Sequence, residues 1–117
     1  MDHIIVAEQL SSKIAEIDII RKEIKERGEQ KSQKITDYER GMAIVIIKLE
    51  NGVSFNLDGE EIKNPSKSIL EKVAKGICWQ EKLEMEKADA NYKSIITNLQ
   101  AVMAQLNALQ SLNRYLE

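Results

Sequence analysis

From Leu10 to Leu49 the chain steps alternately by four and by three without a slip, a period that commits the segment to a long helix with one apolar stripe. The positions are Leu10, Ile14, Ile17, Arg21, Ile24, Gly28, Lys31, Ile35, Tyr38, Met42, Val45 and Leu49, and nine of these twelve suit a coiled-coil seam. The misfits Arg21, Gly28 and Lys31 cluster in the middle. A glycine inside a helix costs about 1 kcal/mol relative to alanine. The helix therefore either runs through this stretch as a solvated segment or breaks near Gly28. A break would let Thr36-Asp37-Tyr38-Glu39 cap a new helix. The surviving register favours continuity.

A second helical period begins after Asn64-Pro65, where asparagine can cap and proline fits a first turn. Ser68 with Glu71 offers a second cap. Its seam is Leu70, Val73 and Ile77, resuming at Ala88, Tyr92, Ile95, Leu99, Val102, Leu106 and Leu109. Ile69, Ile96, Met103, Leu112 and Leu116 widen it. Between the two periods, Asn51-Gly52 is a helix stop and Asp58-Gly59 a two-residue turn signal. Val53, Phe55 and Leu57 alternate with polar residues, and Glu60-Glu61-Ile62 can return as a second strand. The expected fold is all-α and a single domain, 1–117. Helix one covers about 2–50, a β-hairpin 52–63, and helix two 65–116. Nearly equal lengths and a short connection predict a long antiparallel helical hairpin. Met42 to Ile47 is apolar almost all round, which demands burial on several sides. The hairpin is therefore expected to assemble as an oligomeric coiled coil or helical bundle, with itself as first partner.

Composition narrows the function classes. Aromatic residues are only 4% of the 117 and charged residues 31%, a profile of long helices. The net charge of −2 gives no global pull toward nucleic acid or anionic membrane. Six basic residues in 21–34 stand against three acidic ones, but interleaved signs on a helix indicate a solvated face with i,i+4 pairs. The longest apolar run is six residues, too short to span a bilayer. The N-terminus lacks a signal-peptide pattern, so the expected location is the cytoplasm.

No motif points to catalysis. His3 is the only histidine and has no cysteine or histidine partner for a metal. Cys78, the only cysteine, lies in apolar Ile77-Cys78-Trp79 and reads as a buried structural thiol. Asp58, Glu60 and Glu61 read as a solvated turn, since their spacing is not that of a calcium loop. No catalytic residue, metal site or cofactor is assigned, and the chain is expected not to be an enzyme. The polar residues that stand out are at the C-terminus. Asn107, Gln110, Arg114 and Tyr115 crowd the end of an apolar helix. Amides can bond a neutral polar ligand, Arg114 can pair with a phosphate, and Tyr115 or Trp79 can stack on a base. Trp79, Asn107, Gln110, Arg114 and Tyr115 are the candidate ligand-binding residues. Equally, such amides can set helix register across an oligomer interface.

Several phrases carry a resemblance: LENG and LDGE (49–52 and 57–60), AKGIC (74–78), YKSIITNLQA (92–101) and LNALQSLNRYL (106–116). Over Tyr38 to Leu116 the chain resembles small uncharacterised helical proteins of Gram-positive bacteriophages and prophages. The resemblance implies a phage accessory protein acting in the host cytoplasm. One expectation is stoichiometric binding, with anti-defence sequestration of a small host nucleotide-type signal in pockets between subunits. The other is a protein–protein interaction module, either a replication or recombination accessory or an inhibitor of a host protein.

Overall fold

The four-three period becomes one helix, α1 (His3–Glu50), in the computed structural model, which describes residues 3–116. Two short antiparallel strands follow, β1 (Phe55–Leu57) and β2 (Glu60–Ile62), and then two helices, α2 (Leu70–Ile77) and α3 (Trp79–Leu116). Where the sequence reads as one domain, packing separates two compact units. One joins α1 up to Glu29 with α3 from Ala90, and the other is Gln30–Asp89.

In the first unit Ile17, Ile20, Ile95 and Val102 form a buried cluster, with Ile24, Ile96, Leu99 and Leu106 packed against it. The two segments run antiparallel. Lys13 shares a cleft with Gln105 and Leu109, whereas Arg27 further along α1 donates to the Asn91 carbonyl at 3.0 Å. The buried stripe differs from the predicted seam. Ile20 is buried in place of Arg21, and Ile14 is 52% exposed. A straight helix turns once in about 3.6 residues, so a strict seven-residue seam drifts off its own face. Gly28 does not break the helix. A Cβ there would lie 3.4 Å from Cε2 of Tyr92, so the bare backbone is where this ring rests.

The second unit has its own core of Val45, Leu49, Ala74 and Cys78. Lys31 in α1 pairs with Asp89 in α3 at 3.0 Å, so the last misfit of the seam meets a charge instead of an apolar side chain. Thr36 is mid-helix, and its hydroxyl bonds back to the Ser32 carbonyl rather than capping anything. Met42 to Ile47 is only partly covered, because Ile44 and Ile47 face outward.

α1 ends in a Schellman motif. Gly52 takes φ +80°, its N–H donates to the Leu49 carbonyl at 3.2 Å, and the Val53 N–H reaches the Lys48 carbonyl at 2.9 Å. Val53 stays outside the strand and exposed. Phe55 pairs with Ile62 and Leu57 with Glu60 around Asp58-Gly59, whose φ values of 51° and 86° fit a type I′ turn. The Asn56 side chain accepts from the Gly59 N–H at 2.9 Å and steadies the loop. Phe55 and Ile62 then pack on the core. A Cβ on Gly76 would meet Leu57 at 3.3 Å, so this glycine gives the hairpin its seat on α2.

The second helix departs from the predicted 65–116 at both its start and its middle. Asn64 takes φ +48° and lies before the helix as a left-handed residue. The chain crosses 65–69 in turns, one closed by Ile69 N–H on the Ser66 carbonyl at 3.1 Å. Ser68 bonds Ser66 rather than capping, and Ile69 begins α2 with no side-chain cap. The helix is then interrupted at Cys78, with φ −90° and ψ 26°. Its N–H still reaches Ala74 and its carbonyl still receives the Lys82 N–H, so one residue turns while the ladder continues. The compact thiol sits 3.8 Å from where a Cβ on Gly41 of α1 would lie.

Gly28→Ala is expected to stabilise the protein by up to about 1 kcal/mol, because it removes the helix cost of glycine and adds ordinary contact with Tyr92. A urea titration reads this as a higher midpoint with unchanged slope. A lower midpoint would mean that the ring cannot yield to a methyl group.

Candidate binding surfaces

α3 has an inner and an outer side in the first unit. Residues three and four apart share a helix face. Ile95, Leu99, Val102 and Leu106 therefore point inward together, and Asn107, Gln110 and Arg114 form one strip, all exposed. Tyr115 lies about 100° round the helix from Arg114 and is 86% exposed. Three of the five candidate residues thus share a face and a fourth flanks it. Trp79 belongs to the other unit, at the first turn of α3, and is 52% exposed.

Three clefts lie among the described residues away from this strip. A cleft of about 420 Å³ is lined by Gln9, Ser12, Lys13, Gln105 and Leu109. Lys13 is tied to Glu16 at 3.2 Å, so its charge is already partly met. In the second unit a cleft of about 580 Å³ lies between the end of α1 and the start of α2, beside Leu49, Asn64, Pro65 and Leu70. A smaller one of about 170 Å³ flanks the Lys31–Asp89 pair. All three are open grooves rather than enclosed cavities.

In the basic segment 21–34, Arg27 and Lys31 are drawn into internal pairing. Arg27 bonds Glu23 at 3.3 Å as well as the Asn91 carbonyl, and Lys31 holds Asp89. The Glu23–Arg27 pair is the i,i+4 bridge that interleaved signs favour. Cys78 is buried, and burial pushes its thiol above the ordinary 9.0, with the Glu81 carboxylate adding to the rise. Among the described residues no group of three or more acidic, histidine or cysteine side chains could hold a metal ion. Nor is any described helix long and apolar enough to cross a membrane.

One feature of α3 escaped residue-by-residue reading. From Ser94 to Asn113 the chain carries no charged side chain for twenty residues, whereas the twenty from Leu10 to Glu29 on α1 carry ten. Counting charge separately along each helix of the pair brings this out. Comparison with known protein families, with curated proteins and with solved structures found no match.

The Cys78 thiol is expected to resist aromatic disulfide reagents until the protein unfolds. Its raised pKa also has a stability consequence. The neutral thiol is favoured in the fold, so its contribution is complete below pH 9.0 and is lost as pH climbs through the higher folded value. Thermal melts across the alkaline range, with Cys78→Ala as reference, read this as a fall that the variant lacks. Parallel curves would remove the thiol from the alkaline transition.

Proposed function

We propose that the protein is a non-enzymatic binding protein that acts by stoichiometric helix-to-helix association, with a second copy of the same chain as its first partner. The observation that carries this is apolar side chains left outside both cores. Ile47 is 58% exposed and Ile44 lies near it on α1, and in the other unit Ile14 and Met103 stay uncovered. Charged residues, at 31% of the chain, are abundant enough to have occupied such positions. Large apolar groups kept in water are a recurring sign of a surface that another helix covers.

The finer reading is a phage accessory protein that sequesters a nucleotide-type signal between copies. It draws on the resemblance to phage proteins and on the strip Asn107, Gln110 and Arg114, which can offer amide and guanidinium groups to a phosphate-bearing ligand. Because that strip is open in one chain, its pocket would have to be completed by a second. Docking of the same apolar surfaces on a host or phage protein is the alternative.

Native mass spectrometry of protein purified gently from its expression host tests the reading. The expected result is a closed oligomer of the 13.3 kDa chain. An added few hundred daltons per interface supports sequestration. A bare oligomer supports the interaction module, and a bare monomer at micromolar concentration overturns self-association.

A further inference from the structure

The charge-free stretch of α3 deepens that proposal by naming the interface. Charged side chains are depleted from the centres of protein interfaces, because burying an ion without a partner is costly. The outward side of α3 between Ser94 and Asn113 meets this condition, while α1 in the same unit carries ten charged residues between Leu10 and Glu29. Six amides, at 98, 100, 105, 107, 110 and 113, occupy the stretch. An amide both donates and accepts. A face of amides and apolar groups is therefore complementary to itself, whereas a charged partner would find no counter-ion on it.

Resting on the proposed self-association, we infer that α3 is the dimer helix, packing antiparallel on α3 of a second copy about a two-fold axis near Met103. A two-fold contact brings each residue near the axis against its own copy. The midpoint of the stretch lies between Met103 and Ala104, and Met103 is the large apolar side chain there, 42% exposed. Twenty helical residues extend about 30 Å, long enough for a continuous helix-to-helix contact. Lys93 and Arg114 bound the stretch, so like charges gather at the rim, where salt screens them. Association across an uncharged face is not weakened by salt, unlike docking through opposite charges.

Light scattering of the full chain after size exclusion reads the mass, with circular dichroism as the check on folding. Met103→Arg and Ala104→Glu each place a charge at the axis and are expected to shift the protein to monomer, with affinity at least about ten-fold weaker and helix content unchanged. Met103→Cys is expected to give a covalent dimer with a short bismaleimide, while wild type, whose Cys78 is buried, does not. If the protein is an oligomer that Ile47→Arg breaks and both α3 substitutions leave intact, this interface is wrong and self-association stands. A wild-type monomer overturns both. An oligomer loosened by salt overturns the neutral interface.

Discussion

The left-handed turn at Gly52 is the constraint on which the second unit depends. α1 ends with a row of carbonyls that lack amide partners. The Gly52 and Val53 amides take two of them, and the chain can do so only with φ at +80°. A Cβ at that position would strain the backbone. Once reversed, the chain sets Phe55 and Ile62 against Val45 and Leu49, and Leu70 and Ala74 complete the same cluster. Leu49 sits at the centre, almost wholly buried, one turn before the stop. A stop placed elsewhere would separate that side chain from the residues that cover it.

The two units are held by different means. The second covers its cluster with the hairpin and the helices α1 and α2, and elsewhere ties α1 to α3 through the Lys31–Asp89 pair. The first is a two-helix contact of branched aliphatic residues, with Arg27 on the Asn91 carbonyl among its polar ties. Two helices shield only the facing stripe of each. This is why the first unit leaves so much of α3 open, and why the lack of charge on that open side bears on association rather than on folding of the single chain.

Much of this was legible in the sequence, and the misses have physical causes. Periodicity located both long helical regions, because an apolar stripe is written locally every three or four residues. Asn51-Gly52 and Asp58-Gly59 marked the two reversals, because few residues tolerate positive φ. The exchange of Arg21 for Ile20 was hidden because periods of 3.5 and 3.6 differ by only a few degrees per residue. The turn through 65–69 was hidden because Asn64-Pro65 and Ser68 are good caps locally, and tertiary packing used neither. The interruption at Cys78 was hidden because Gly76, two residues earlier, lies within α2 instead of ending it. Of the candidate site, the strip Asn107, Gln110 and Arg114 followed from spacing alone. Trp79 could not be placed with or apart from it without coordinates. Whether exposed amides meet a ligand or another helix is not encoded in their identity, since the same groups serve both.

The first unit's dependence on aliphatic contact has a thermal consequence. Apolar burial near room temperature is driven by the entropy of water and weakens on cooling, whereas ion pairs and hydrogen bonds do not share that dependence. Ile17, Ile20, Ile95 and Val102 hold α3 to α1 with almost no ionic help along the charge-free stretch. The contact of α1 with α3 in the first unit is thus one that cooling weakens.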